Sequence, residues 1–104
     1  MRRKKTPPLV GGLMHASLVN LTIDPAQAPA AAAALMNDIL PVVCAAPGFV
    51  AGYWLEPADG RGFSVVLFET EDQALQSTAQ ARSWSAPGVT IDDAQVRRVA
   101  VAVP

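Results

Sequence analysis

Residues 49–69 have the sequence FVAGYWLEPADGRGFSVVLFE, in which two runs of apolar residues flank a turn segment. Aromatic and β-branched residues dominate residues 49–56 and 63–69, and this composition predicts two strands. The intervening PADGRG, residues 57–62, contains an Asp-Gly pair, which is typical of a tight β-hairpin turn. This stretch is therefore predicted to form an antiparallel hairpin.

A strand and a helix are predicted on the N-terminal side of the hairpin. Residues 15–23 (HASLVNLTI) alternate, with Val19, Leu21 and Ile23 on one face, as in a β-strand. Asp24 and the proline after it predict a helix start. Apolar residues then recur every three or four positions up to residue 43, and Pro41 predicts a kink because it cannot donate a helical hydrogen bond.

A helix and a strand are also predicted after the hairpin. Thr70 and Gln73 have the spacing of a capping box, so a second helix is expected over residues 71–84. The segment 86–88 (APG) ends it, and residues 89–103 are predicted to form the fourth strand, with an irregularity at Asp92 and Asp93.

The resulting element order, β-α-β-β-α-β, predicts an α+β, ferredoxin-like domain over residues 14–103. Such a domain has a four-stranded antiparallel sheet with two helices on one face. The other face is predicted to be apolar too, because strand three has Phe63, Val65 and Leu67 on one side and Val66 and Phe68 on the other. Valines 99, 101 and 103 extend the same pattern into strand four. We therefore expect a homodimer in which two sheets pack face to face.

Composition narrows the classes of partner. Of 104 residues, 51% are hydrophobic and 16% are charged, which is typical of a globular protein. The net charge is −1, but four of the eight basic residues lie at positions 2–5, so the rest carries four positive and nine negative charges, or −5. An acidic body argues against nucleic-acid binding. The absence of an unbroken apolar run of about 18 residues argues against a membrane span.

Residues 1–13 are predicted to be a disordered basic extension. They combine a charge block with Pro7, Pro8, Gly11 and Gly12, which oppose regular structure and interrupt the apolar stretch that a signal peptide needs. We therefore expect a cytoplasmic protein, and we take Met14 as a candidate true start.

Motifs that would indicate a catalytic or metal site are absent from the sequence. The single Cys44 and single His15 exclude a disulfide framework and a paired-histidine metal site, and no nucleophile elbow or phosphate-binding glycine loop is present. Cys44 is expected to be a small buried residue. No metal and no cofactor is predicted.

The order of elements, the Pro47-Gly48-Phe49 junction and the ending of strand three at Phe68 resemble the dimeric α/β-barrel superfamily. Within it, the chain is most similar to antibiotic-biosynthesis-monooxygenase-like proteins and to small uncharacterised actinobacterial homologues. The resemblance covers residues 14–103. It implies either a cofactor-independent oxidation of an aromatic substrate or a protein without catalysis.

The haem-degrading branch of this superfamily does not fit the sequence. Its pattern asks for an Asn on strand one, which Asn20 supplies, but also for a Trp near the end of strand three, where this chain has Phe68. It further asks for a histidine on helix two, and residues 71–84 contain none. Without that axial ligand, haem has no anchor.

Five residues are candidates for lining a cavity between the sheet and the helices. They are Asn20, Tyr53, Trp54, Phe68 and Trp84. Asn20 is placed on the face toward the helices, where its amide either bridges buried backbone groups or hydrogen-bonds a ligand. Tyr53 and Trp54 are adjacent in a strand and so face opposite sides.

Two functions follow from these predictions. The first is binding of a small apolar or aromatic ligand without chemistry. The alternative is a monooxygenase-like oxidation of an aromatic or quinol substrate, in which the protein supplies a dry pocket and hydrogen bonds to the substrate anion. Whether the chain is an enzyme is left open.

Overall fold

A computed structural model describes residues 14–103 of the chain, so the predictions for residues 1–13 lie outside the described residues. The elements are β1 (His15–Ile23), α1 (Pro25–Cys44), β2 (Phe49–Ala58), β3 (Arg61–Phe68), α2 (Glu71–Arg82) and β4 (Val89–Arg98). The four strands form one antiparallel sheet in the order β2-β3-β1-β4. This α+β arrangement is compatible with the predicted ferredoxin-like fold.

The β2–β3 hairpin turns on two residues, Asp59 and Gly60. Both have positive φ, 54° and 75°, which is the conformation that a type I′ turn requires and that Asp-Gly adopts readily. The strands consequently run to Ala58 and from Arg61, and the turn is shorter than the six residues predicted.

Helix α1 changes its hydrogen-bonding pattern along its length. It begins as a 3-10 turn in which the Asp24 side chain accepts from the backbone N–H of Ala26, continues as an α-helix, and widens into a π-turn over Leu35–Ile39. The Leu40 N–H donates to Leu35 O, five residues back. Pro41 lies two residues after the end of this turn at Ile39. Its ring would clash with the carbonyl four residues before it, and the wider turn relieves that crowding where a kink was predicted.

By length and composition alone, α1 is apolar enough to cross a membrane, with 20 residues and a mean hydropathy of 1.2. The prediction from unbroken apolar runs did not include this helix, because its stretch is interrupted by Pro29, Asn37, Asp38 and Pro41. In the fold α1 lies across one face of the sheet, with Ala31 and Val43 buried. A helix near the N-terminus that passes this test is weak evidence for a membrane span.

Helix α2 begins with the predicted capping box. The Thr70 hydroxyl accepts from the Gln73 N–H at 3.2 Å, and the Gln73 side chain accepts from the Thr70 N–H at 3.0 Å. The buried face of α2 consists of Ala74, Thr78 and Ala81.

Strand β4 ends at Arg98, five residues earlier than predicted. Its partner β1 begins at His15, which pairs with Arg98, and beyond this pair the backbone N–H of Val99 still donates to Met14 O at 2.9 Å. Val101 and Val103 are 69% and 77% exposed. The predicted irregularity is present, because Asn20 pairs with Asp93 and Leu21 with Ile91, which leaves Asp92 without a partner in the register.

The sheet has a helix-facing side and an open side. The helix-facing side is well packed at one end, where Val43 of α1, Ala74 of α2, and Val66 and Phe68 of β3 form a buried cluster. Phe68 is completely buried and meets Phe49 edge to face, with ring centroids 6.4 Å apart.

The open side is apolar over β2 and β3 and polar over β4. Its apolar part includes Tyr53 and Leu55, which are 58% and 54% exposed, and the half-buried Phe63, Val65 and Leu67. By register, the β4 residues on this side include Asp93, Gln95 and Arg97. The prediction of a face that is apolar throughout is therefore correct for the hairpin and wrong for β4.

Candidate functional site

A cavity of about 370 Å³ separates α1 from the helix-facing side of the sheet. It lies at the end of the sheet nearest the hairpin turn, away from the cluster around Phe68. Its floor comes from the ends of β1 and β2 and the starts of β3 and β4, and α1 forms its roof. We call it the sheet–helix cavity.

The alanine-rich part of α1 leaves this space unfilled. Ala28, Ala31 and Ala32 lie over the cavity, and a methyl group does not reach across the gap between a helix and a sheet. At the other end of the same helix, Val43 fills that gap against Phe68. Helix α1 starts beside Ile23 and runs back along the sheet. Its alanines therefore lie over the hairpin end of the sheet, and Val43 lies over the packed end.

Two glycines in the strands shape the floor. A Cβ atom at Gly52 would lie 2.5 Å from the Trp54 ring, and one at Gly62 would lie 2.7 Å from Leu21 Cδ1. Strand glycines commonly mark places where another group approaches the backbone closely. Gly52 therefore allows the Trp54 indole to lie against its own strand.

The polar groups of the cavity are few. Apart from the indole N–H groups of the tryptophans, the lining side chains described include only two with polar atoms, Ser64 and Glu56. Ser64 is 6% exposed and is paired with Val19 and Trp54, which both face the helices, so its hydroxyl lies on the same side. Glu56 is exposed.

The other buried serine on this side of the sheet differs in its partners. The Ser17 and Thr78 hydroxyl oxygens are 2.5 Å apart, and the Thr78 hydroxyl donates to Ala74 O at 2.7 Å. Since Thr78 has one proton to donate, Ser17 is the donor between them. Ser64 makes no hydrogen bond through its hydroxyl to any residue in the described range 14–103.

Of the five predicted cavity residues, the structure brings two together. Trp54 and Trp84 line the sheet–helix cavity, and Trp84 packs against both buried clusters. Phe68 belongs to the packed end instead, and Tyr53 lies exposed on the open side.

The placement of Asn20 on the helix-facing side was wrong. Side chains alternate along a strand, and Val19 and Leu21 face the helices, so Asn20 faces the open side, where it is exposed. The expectation that Cys44 is buried was also wrong, since it is exposed near the end of α1.

Sequence reasoning did not select Ser64. A signal was available, because Ser64 is the one polar residue in the run FSVVLF, and a polar residue in a buried strand needs a partner. Leu35 and Ile39, which the π-turn of α1 directs at the cavity, were predicted only as part of a buried helix face.

Groups that could support acid–base or metal chemistry are sparse around the cavity. Glu56 is the only ionisable side chain among the described lining residues. Within residues 14–103, no group of three or more His, Cys, Asp or Glu side chains could hold a metal ion. His15 lies at the opposite end of β1 from the cavity.

Comparison with known proteins identifies a fold relative. No protein-family model and no curated protein matches the chain. The crystal structure of MupZ from Pseudomonas fluorescens superposes with a TM-score of 0.61 at 13% sequence identity. The match covers 90% of this chain and 73% of that one, and at this identity it shows that the two share a fold.

Proposed function

We propose that this protein binds a small apolar or aromatic molecule in the sheet–helix cavity. The observation that carries the proposal is the cavity itself. Its 370 Å³ falls within the range of about 300–1,000 Å³ typical of small-molecule sites, and its lining is almost entirely apolar. Two tryptophans at its wall provide large flat surfaces for an aromatic ligand.

Binding without chemistry has more support than oxidation. A cofactor-independent monooxygenase would have to stabilise a substrate anion with hydrogen-bond donors or positive charge. Asn20, the donor predicted for that role, is exposed on the open side, and the one ionisable side chain described at the cavity is the acidic Glu56. Among the described lining residues, the side-chain donors left for the oxidation alternative are Ser64 and the indole N–H groups of Trp54 and Trp84.

We further propose membership of the dimeric α/β-barrel superfamily, near its antibiotic-biosynthesis-monooxygenase-like branch, and a homodimer formed through the open side. The α+β architecture and the fold shared with MupZ are compatible with the former. The exposed Tyr53 and Leu55 beside Phe63, Val65 and Leu67 support the latter.

The fluorescent probe N-phenyl-1-naphthylamine, which brightens in apolar surroundings, tests the ligand site. Ala32 lines the cavity, so the Ala32→Phe variant should fill part of it and weaken probe binding by about tenfold or more. Ala33 is the matched control: it is exposed, as Ala32 is, but it does not line the cavity, so Ala33→Phe should bind within about twofold of the wild type.

Circular dichroism of both variants verifies that they fold. Failure of the wild-type protein to bind the probe, or equal loss of binding in both variants, would contradict the proposal. Protein-dependent oxygen uptake with 1,4-naphthohydroquinone, above the rate without protein, would instead favour the oxidation alternative.

A further inference from the structure

Ser64 distinguishes the sheet–helix cavity from a plain apolar void. The residue is 6% exposed, and its hydroxyl makes no hydrogen bond to any residue described. The same structure leaves no fully enclosed side-chain polar atom unsatisfied among the described residues, so the Ser64 oxygen is not sealed away from the cavity space. A buried hydroxyl normally has a partner.

We infer that the ligand of this cavity is an uncharged apolar molecule with one hydroxyl or carbonyl group, which hydrogen-bonds to the Ser64 hydroxyl. This inference rests on the proposed function and narrows its ligand class. A serine hydroxyl both donates and accepts, so an alcohol, a phenol and a ketone all satisfy it.

The charge of the lining favours a neutral ligand. A carboxylate buried without a cationic partner loses its hydration and gains little in return. Among the described residues the lining includes no lysine, arginine or histidine, and its one ionisable group, Glu56, has the same sign as an acid ligand. Fatty acids and other organic anions are thereby disfavoured.

The geometry also fixes where the polar group of the ligand lies. Ser64 is in the third residue pair from the hairpin end of β3, opposite Trp54 on β2 and Val19 on β1. Its hydroxyl is therefore at the floor of the cavity, beside the Trp54 indole and below the alanines of α1. A ligand bound to it has its apolar body against α1 and its polar group against the sheet.

Three naphthalenes of similar size test the inference by displacement of N-phenyl-1-naphthylamine. We expect 2-naphthol to bind about 3- to 10-fold more tightly than 2-methylnaphthalene, as one neutral hydrogen bond allows. We expect 2-naphthoate to bind at least about tenfold more weakly than 2-naphthol. The Ser64→Ala variant should abolish the preference for 2-naphthol over 2-methylnaphthalene while leaving 2-methylnaphthalene affinity nearly unchanged.

Ser17→Ala is the matched control, because it removes a buried serine hydroxyl from the same side of the sheet, one that is bonded to Thr78 and does not line the cavity. It should lower the unfolding midpoint and keep the preference for 2-naphthol. Equal affinities of 2-naphthol and 2-naphthoate, or an undiminished preference in Ser64→Ala, would overturn the inference and leave the proposed binding function standing. No binding of any of the three, or of the probe, would overturn both.

Discussion

At the scale of single residues, Gly52 controls the position of a cavity tryptophan. Its missing Cβ leaves room for the Trp54 ring, whose atoms would be 2.5 and 2.6 Å from that carbon. Gly52→Ala must therefore displace the indole, at a cost of about 1–3 kcal/mol in the free energy of unfolding. We also expect weaker probe binding and a shift in tryptophan emission, to which Trp54 and Trp84 alone contribute.

A double-mutant cycle isolates that contact. In a Trp54→Ala background there is no ring to displace, so adding Gly52→Ala should change the free energy of unfolding by less than about 0.5 kcal/mol. Urea denaturation of the four proteins measures the coupling. A cost that persists without the indole would mean that the backbone, and not Trp54, requires glycine here.

Asn20 illustrates how one step of register changes the role of a residue. The prediction that Val19, Leu21 and Ile23 share one face of β1 is correct. Those three residues face the helices, so Asn20, which was predicted to face the helices, lies on the opposite side. Sequence periodicity identifies the two faces of a strand, but which one is covered depends on the path of the helices. Ser64 was not predicted for a related reason, since only the structure shows that its hydroxyl has no hydrogen-bond partner among residues 14–103.

We predict that Asn20→Ala leaves ligand binding and folding intact. Its side chain is exposed and faces away from the cavity, so the free energy of unfolding should change by no more than about 0.5 kcal/mol. Probe titration and urea denaturation measure the two effects. A loss of probe affinity without a change in stability would restore Asn20 as a ligand-orienting residue and contradict the placement described above.

At the scale of elements, the capping box connects β3 to α2. Within the described chain, the Thr70 hydroxyl is the only side-chain acceptor that hydrogen-bonds a first-turn N–H group of α2. Thr70→Ala should cost about 1 kcal/mol in the free energy of unfolding. Ser83→Ala at the other end of α2 is the control, since the exposed Ser83 hydroxyl donates to Gln80 O and its loss should cost under about 0.5 kcal/mol.

Elements with local signals were predictable, and those limited by distant partners were not. The Asp-Gly turn and the Thr70–Gln73 box depend on residues within a few positions of each other, and both are present as predicted. The end of β4 depends on β1, because its last residue, Arg98, pairs with His15 at the start of β1. The alanines of α1 were equally compatible with close packing and with a cavity, and no local signal in the sequence decided between the two.

At the scale of the whole molecule, the two sides of the sheet have separate roles in our proposals. The helix-facing side encloses the cavity, and the apolar half of the open side is the proposed contact between subunits. Val65 lies at the centre of that half, paired in register with Tyr53 on β2 and Leu18 on β1. A stable dimer buries about 1,200–2,000 Å² of accessible surface in total, so the contact between subunits would have to extend across β1, β2 and β3.

Val65→Glu should dissociate this dimer without emptying the cavity. In a two-fold contact the new carboxylate would be buried near its counterpart, and the dissociation constant should rise by at least about 100-fold. Gln95→Glu adds the same charge to the polar β4 part of the same side and should leave the dimer intact. Sedimentation velocity at micromolar concentration measures both, and probe binding by the dissociated Val65→Glu subunit shows that the ligand site is complete in one chain. The proposed contact would be contradicted by a wild-type protein that sediments as a single subunit, or by equal dissociation of the Val65→Glu and Gln95→Glu variants. Loss of probe binding on dissociation would mean that the partner subunit helps to hold the cavity open.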